Sequence, residues 1–315
     1  MLRWRLLLGT TFIAALVGLC WLDAHAETPG MWLFPLALVV TLAGSSEVLW
    51  LASARDIRPL PWVVYLGNAL ILCANWLPRF APGVPDLGPL GWPTVALALS
   101  VILAFVGEMA RYNGPGQVTE RLAVAVLVLC YVGLLMTFVI QLRLLNDGAW
   151  GIPALASLIL VVKMGDTGAY TVGRLIGRHR MAPVLSPGKT WEGAAGGLAF
   201  ACLGAWLAFV VLFPSAMGQD VVVHHTYDGG RNELITISHY GFAGPPWGWI
   251  VYGLLVGVAG MLGDLAEPLL KRDLGRKDSS PWMPGFGGVL DLLDSILLAA
   301  PIAWLCFICG VVGFK

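Results

Sequence analysis

Long apolar runs separated by short polar connections dominate the chain, and their length is the first guide to its fold. A helix needs about 20 apolar residues to cross a bilayer, and runs of roughly that length recur throughout the sequence. They occur near 6–22, 31–51, 61–77, 91–109, 122–142, 152–172, 193–213, 247–270 and 287–311. Turn and breaker residues such as Pro29 and Gly114 separate them. The pattern predicts an all-α protein, a polytopic membrane helix bundle with about nine transmembrane helices.

The basic residues divide unequally between the two ends of these predicted helices. If the crossings alternate, one side receives Arg3, Arg5, Arg55, Arg58, Arg111, Arg121, Arg174, Arg178, Arg180, Lys189, Lys271, Arg272, Arg276 and Lys277. The other side receives Arg79, Arg143, Arg231 and Lys315. Because cytoplasmic loops carry an excess of Lys and Arg, we expect a cytoplasmic N-terminus, an external C-terminus and an inner or plasma membrane location.

The predicted crossings fall into two parts that differ in their polar content. Residues 1–150 contain about five crossings and form the predicted N-terminal transmembrane region. Residues 151–315 contain the charged motifs and the predicted cytoplasmic loops 174–192 and 271–286. We therefore expect a C-terminal catalytic transmembrane domain over residues 151–315.

Composition supports the membrane assignment and removes one class of partner. Of the 315 residues, 58% are hydrophobic and 12% are charged, whereas a soluble domain has about 25% charged residues. The net charge is zero, so no nucleic-acid partner is expected. The basic N-terminus followed by Ala24-His25-Ala26 also resembles a cleavable signal peptide. Its apolar run is long for a signal, which favours a retained helix.

Two pairs of carboxylates stand out near the C-terminus. Asp264 and Glu267 are three residues apart, as are Asp291 and Asp294, and this spacing places each pair on one face of a helix. A carboxylate at the centre of a membrane helix costs about 2.5–3.5 kcal/mol on insertion scales. A bound divalent cation such as Mg²⁺ compensates that charge. The simpler alternative is an ion pair, with Asp264 or Glu267 neutralising Lys271 or Arg272.

Basic and glycine-rich residues next to these pairs indicate phosphate binding. Lys271, Arg272 and Lys277 lie between the two pairs, and Gly287 and Gly288 come just before a predicted helix start, where anions are favoured. The bland alternative is a positive membrane anchor with a flexible turn.

A second cluster of polar residues surrounds the end of the sixth predicted crossing. It contains Asp166, Arg174, Ser186, Lys189 and Thr190. The triplet Gly188-Lys189-Thr190 is not a P-loop, because Pro183 occupies the position of the first required glycine.

Other polar residues in apolar or external segments have weaker functional indications. Glu47 and Glu108 are candidates for either helix-packing hydrogen bonds or substrate contacts. His224, His225 and His239 lie in the insertion 214–246 and are more readily explained as solvated loop residues.

These motifs resemble those of the phosphatidate cytidylyltransferases, or CDP-diacylglycerol synthases. The matching positions of their C-terminal signature are Lys271, Arg272, Lys277, Asp278, Ser280, Gly287, Gly288, Asp291 and Asp294. The segment from Asp166 to Gly193 resembles their upstream motif. Pro268, Phe286 and Leu292 stand where the signature has Ser, His and Arg. Contacts made by that His or Arg therefore do not carry over.

The resemblance implies that CTP and phosphatidic acid react to give CDP-diacylglycerol and pyrophosphate on the cytoplasmic side. It implies a catalytic set of Asp264, Asp291, Asp294, Lys277 and Asp278. Substrate contacts would come from Lys271, Arg272, Lys189, Thr190, Ser186, Arg174, Gly287 and Gly288. Mg²⁺, with room for a second cation such as K⁺, would be held by Asp264, Asp291, Asp294, Asp166 and Glu267. A homodimer is expected from the family alone.

Other functions stay open at this point. A polyprenol kinase or an archaeol-type cytidylyltransferase would use CTP with another lipid. An ion-coupled transporter would use buried carboxylates as an ion path, but it predicts broken helices in matching halves, and the charged motifs lie in the C-terminal half alone.

Overall fold

The computed structural model describes residues 2–81, 83–216, 226–228, 231–233, 244–276 and 287–313. Its helices are α1 (Leu2–Ala24), α2 (Leu33–Ser53), α3 (Pro61–Cys73), α4 (Leu77–Phe80), α5 (Gly91–Ala110), α6 (Val118–Val128), α7 (Leu135–Arg143), α8 (Gly151–Ile176), α9 (Trp191–Trp206), α10 (Phe213–Ala216), α11 (Gly248–Asp273) and α12 (Val289–Ile308). Two antiparallel hairpins pair β1 (Arg180–Ala182) with β2 (Ser186–Thr190), and β3 (Thr226–Asp228) with β4 (Arg231–Glu233). The π-helical segment Leu129–Leu134 joins α6 to α7, and Leu207–Leu212 follows α9.

The prediction of an all-α polytopic bundle is confirmed. Among the residues described, seven helical segments are long and apolar enough to cross a membrane. They are Leu33–Ser53, Gly91–Ala110, Val118–Arg143, Gly151–Ile176, Trp191–Leu212, Gly248–Asp273 and Val289–Ile308. The protein is therefore an integral membrane protein.

Two of the nine predicted crossings are not among these seven spans. The predicted span 61–77 is interrupted, because the 13-residue helix α3 passes through a 3₁₀ turn into the four-residue helix α4. Pro78 lies in the first turn of α4, where its ring and missing N–H prevent a continuous α-helix. The predicted span 6–22 lies within α1, a 23-residue helix whose stretch Ile13–Ala24 is apolar.

Helix α12 packs against both parts of the chain. Near its start, Leu290 packs with α2, α3 and α6, and Leu297 packs with α3 and α7. Further along, Ala299, Ala300 and Ala303 join a core built from α8, α9 and α11. The first turn of α12 is therefore held between the N-terminal helices and the C-terminal ones.

A glycine brings α11 and α12 into direct backbone contact. A Cβ added at Gly263 would lie 2.3 Å from the carbonyl oxygen of Asp294 and 2.7 Å from the Cα of Ser295. Small residues at such crossings allow membrane helices to approach closely. Because α11 and α12 are antiparallel neighbours, this contact sets the separation of the side chains on either side of it.

A buried ion pair links α1 to α7 at the opposite end of the bundle from that contact. Asp23 is fully buried and Arg143 is 5% exposed, and Arg143 Nε donates to Asp23 Oδ2 at 2.5 Å. The same carboxylate accepts hydrogen bonds from the backbone N–H groups of Gly30, Trp32 and Leu33. These bonds fix the turn between α1 and α2.

We expect Asp23→Ala to lower the free energy of unfolding by about 3–5 kcal/mol, since it leaves Arg143 buried without its partner. Equilibrium unfolding in bicelles measures the change. The control is Arg79→Gln, which removes a pair to the almost fully exposed Asp147 and should have little effect. Equal effects of the two variants would contradict the structural role of the Asp23–Arg143 pair.

We expect Gly263→Ala to destabilise the bundle by about 1–3 kcal/mol, because the added methyl group forces α11 and α12 apart. Gly260→Ala is the matched control on the same helix, since its Cβ would meet Val162 at an ordinary 3.5 Å. Thermal unfolding of both variants in detergent checks the prediction. A Gly263→Ala protein as stable as Gly260→Ala would show that the close approach is dispensable.

Candidate functional site

The two carboxylate pairs lie opposite each other on α11 and α12. Asp264 and Glu267 belong to α11, while Asp291 and Asp294 belong to the first two turns of α12. The antiparallel arrangement sets Asp264 within electrostatic range of Asp294. It also sets Glu267 near Asp291, with Lys271 in contact with both. The structure thus brings all four residues together at one end of the helix pair.

Lys271 forms the centre of the inner part of the site. Its Nζ lies 2.8 Å from Glu267 Oε1 and 2.5 Å from Asp291 Oδ1. Glu267 is 3% exposed and Lys271 is 9% exposed. The ion pair between Glu267 and Lys271, the simpler alternative from the sequence, is therefore present, and Asp291 shares the same lysine.

The outer part of the site is more open to solvent. Lys189 Nζ lies 2.7 Å from Asp264 Oδ2, and the Asp264 side chain is 48% exposed. On α8, Lys163 pairs with Asp166 at 3.1 Å. Asp264 interacts electrostatically with Asp166 and Lys163, and Asp294 interacts with Asp264 and Lys163. Helices α8, α11 and α12 therefore all contribute charged groups to this part.

Pro268 changes the local hydrogen bonding of α11. A proline inside a helix has no N–H to bond to the carbonyl four residues earlier, which here is the carbonyl of Asp264. Lys189 Nζ donates to that carbonyl oxygen as well as contacting the Asp264 carboxylate. The departure from the family signature at Pro268 thus leaves an acceptor for Lys189.

The first turn of α12 is held by carboxylates on two helices. Asp291 Oδ2 accepts a hydrogen bond from Gly288 N at 2.6 Å. Glu47, on α2, accepts from Val289 N and Leu290 N, both at 2.8 Å. Gly287 and Gly288 leave room for these carboxylates, since a Cβ would lie 2.1 Å from Asp291 Oδ2 or 2.3 Å from Glu47 Oε2.

Tyr131 is a further polar residue at the site. It lies in the π-helical segment Leu129–Leu134, and such segments often occur at functional sites. Its hydroxyl is buried without a hydrogen-bond partner in the described part of the chain. Electrostatic interaction with Asp294 and Glu267 places that hydroxyl near the carboxylates. The sequence pattern gives no sign of it, because Tyr131 lies in an otherwise apolar run.

Several predicted substrate contacts occupy the β1–β2 hairpin or the end of α8. Thr190 caps α9, its Oγ1 accepting from Gly193 N at 3.1 Å, and Ser186 begins β2. Arg174 is exposed at the end of α8 and donates to the Tyr170 hydroxyl. Of this group the structure brings Lys189 alone into contact with the α11–α12 carboxylates.

The remaining residues singled out from the sequence are exposed, form ion pairs elsewhere or lie outside the described residues. Arg272 is exposed in the last turn of α11, and Leu292 is 43% exposed. Glu108 pairs with Arg111 and Arg121 away from the site, so its contacts are structural. Lys277, Asp278, Ser280, Phe286, His224, His225 and His239 lie outside the described residues.

The arrangement suits a polyanion that binds together with a divalent cation. Carboxylates outnumber lysines in the described site, the carboxylates being Asp166, Asp264, Glu267, Asp291 and Asp294 and the lysines Lys163, Lys189 and Lys271. Ammonium groups provide contacts for phosphate oxygens. The excess carboxylates are oxygen ligands of the type hard divalent cations prefer.

Comparison with known proteins agrees with this chemistry. Residues 4–309 match the model of the family described as the cytidylyltransferase family. A phosphatidate cytidylyltransferase of Haemophilus influenzae is 38% identical over 166 residues, which are 52% of this chain and 49% of that protein. The phosphatidate cytidylyltransferase of Mycobacterium leprae is 29% identical over 279 residues, 78% of this chain and 79% of its own length.

The matches differ in how much of each protein they cover. The chain spans about half the length of the Haemophilus protein and most of the Mycobacterium protein. The Mycobacterium bovis phosphatidate cytidylyltransferase, 27% identical, is matched over 92% of this chain and 84% of its own length. Because the family model covers nearly every residue from the N-terminal helix to the end of α12, the chain belongs to the cytidylyltransferase family.

Proposed function

We propose that this protein transfers a cytidylyl group from CTP to phosphatidic acid, giving CDP-diacylglycerol and pyrophosphate for phospholipid synthesis. The observation that carries the proposal is the convergence of Asp264, Asp291, Asp294, Lys189 and Lys271 at one end of a membrane-spanning bundle. Family membership and the names of the relatives support the same reaction. A lipid acceptor explains why a nucleotide site is built from membrane helices.

The reaction needs little acid–base catalysis. An oxygen of the lipid phosphate forms a bond to the α-phosphorus of CTP, and the bond from that phosphorus to the bridging oxygen of the β-phosphate breaks. Pyrophosphate leaves with the bonding electrons. Because the nucleophile is already an anion, no strong base is needed. The protein supplies alignment of two anions and compensation of their charge.

The lysines are the groups suited to hold the triphosphate. Lys189 extends from the partly open side of the site and Lys271 from the buried side. Each already contacts carboxylates in the described structure, so phosphate oxygens would exchange with Asp264 or Asp291 as their partners. Arg272, exposed at the end of α11, adds a further cation for the outer phosphates.

The carboxylates fit Mg²⁺ by the chemistry of their donor atoms. Asp264, Asp291 and Asp294 would hold it, with Asp166 and Glu267 as further oxygen donors, and the excess negative charge also suits a second cation such as K⁺. When bound, Mg²⁺ neutralises charge on the phosphates. In the described residues no group of three acidic, His or Cys side chains is already arranged around one point. Cation binding would therefore accompany rearrangement of the lysine pairs.

The proposed location of the site is the cytoplasmic side of an inner or plasma membrane. Basic residues cluster around the site end of the bundle, with Arg55 against the end of α11 and Arg111 and Arg121 around Glu108. Such residues favour the cytoplasmic side, where CTP is available. The proposed homodimer rests on the family alone.

We expect purified protein in phosphatidate-containing micelles to release pyrophosphate from CTP in a Mg²⁺-dependent manner, and Asp294→Asn to lower kcat/KM by at least 100-fold. Asn preserves the side-chain size and the oxygen that accepts from Ser295 N, so the loss reports the missing charge. Coupled pyrophosphate detection measures both variants.

Asp56→Asn is the control for this prediction, since Asp56 is exposed and pairs with Arg58. It should keep wild-type turnover. Pyrophosphate release without lipid, or full activity of Asp294→Asn, would refute the assignment. Formation of CDP with a polyprenol, or release of pyrophosphate with an archaeol-type acceptor in place of phosphatidic acid, would instead identify one of the related lipid reactions.

A further inference from the structure

Helix α2 and the turn after it contact the chain at the end of α11 and at the start of α12. Near the end of α11, the Arg276 guanidinium lies 3.6 Å from the centre of the Trp50 ring, and Arg55 pairs with Asp273. At the start of α12, Glu47 accepts the two hydrogen bonds from Val289 N and Leu290 N. Glu47 and Trp50 are three residues apart on α2, and Arg55 lies in the turn that follows this helix.

The Glu47 contact is the most constrained of these. Glu47 is 6% exposed, and its two oxygens each accept a separate N–H of the α12 N-terminus. Those N–H groups have no partner within their own helix, and the positive end of the helix dipole favours a carboxylate there. Gly288 allows the approach, because any Cβ would collide with Glu47.

The hydrogen bonds from Val289 N and Leu290 N to Glu47 hold the turn of α12 that contains Asp291, the residue that contacts Lys271. Asp291 lies in the same turn, with Oδ2 on Gly288 N and Oδ1 on Lys271 Nζ. If the first turn of α12 shifted, Asp291 would move relative to Lys271 and Asp294 relative to Asp264. Glu47 itself interacts electrostatically with both Asp291 and Lys271.

We propose that Glu47 is a positioning residue for the cytidylyl transfer. It holds the first turn of α12 in place and thereby aligns Asp291 and Asp294 with the α11 residues. The effect on turnover rests on the proposed function, whereas the effect on the backbone of α12 does not. Two readouts therefore separate the two proposals.

The test is Glu47→Gln, in which an amide NH₂ faces one of the two backbone N–H groups. We expect faster amide hydrogen exchange in peptides covering residues 287–295, measured by mass spectrometry on the full chain in detergent. We also expect kcat/KM for CTP to fall about 10- to 100-fold, since hydrogen bonds to charged groups are worth that much. The fall should lie mainly in kcat, and Glu47→Asp should recover part of it.

Two controls distinguish positioning from general destabilisation. Glu108→Gln removes another buried carboxylate near the same end of the bundle, and should lower the unfolding temperature without changing kcat per folded molecule. Ser46→Ala changes the exposed neighbour of Glu47 and should match wild type in every readout.

If Glu47→Gln leaves amide hydrogen exchange at residues 287–295 unchanged, the claim that Glu47 holds the first turn of α12 is wrong. Faster exchange with an unchanged kcat/KM, or an equal loss of kcat in Glu108→Gln, would overturn the positioning role. A wild-type protein that does not turn over CTP would contradict the proposed function instead, and the exchange comparison would still decide whether Glu47 holds α12.

Discussion

A charged side chain inside an apolar helix bundle has to find its partner within the bundle, since lipid offers neither water nor counter-ions. The structure meets this requirement in three separate ways. Asp23 is balanced by Arg143, Glu108 by Arg111 and Arg121, and the site carboxylates share Lys163, Lys189 and Lys271. In the first two cases the cations fully match the acid. Among the described residues of the site the acids outnumber the cations, and this excess of negative charge distinguishes a ligand site from a structural ion pair.

The close approach of α11 and α12 at Gly263 fixes how far apart the site carboxylates lie. Without a side chain there, α11 and α12 touch through backbone atoms, so Asp264 and Asp294 at the contact, and Glu267 and Asp291 one turn away, have little freedom to separate. Negative charges held this close repel each other, and the cost has to be offset by the lysines or by a bound cation. Stability and function are therefore coupled at this crossing. The packing that stabilises the helix pair also keeps the carboxylates close enough to repel each other, and a bound cation would relieve that repulsion.

The sequence was informative where the physical signal is local. Apolar runs predicted the helices, and the three-residue spacing of the acids placed each pair on one helix face. Contacts between distant parts of the chain have no such signal. Glu47 and Leu290 are separated by 243 positions, and nothing in the run around Glu47 indicates which helix end it meets. Tyr131 depends on a π-helical segment that shifts the helical register. The predicted span 61–77 shows the opposite case: it is mostly apolar, yet a 3₁₀ turn over Ala74–Trp76, just before Pro78, divides it between α3 and α4.

The contribution of the N-terminal half follows from these long-range contacts. A bundle that only anchored the site would need apolar packing alone. Instead, Glu47 and Trp50 on α2 and Arg55 in the turn after it contact the start of α12, Arg276 and the end of α11. The buried Glu47 carboxylate is costly to keep in a membrane helix, and a hydrophobic residue would pack there at lower cost. Retaining it makes sense if the position of the first turn of α12 matters more than bundle stability. The N-terminal helices are then part of the device that sets the carboxylate geometry.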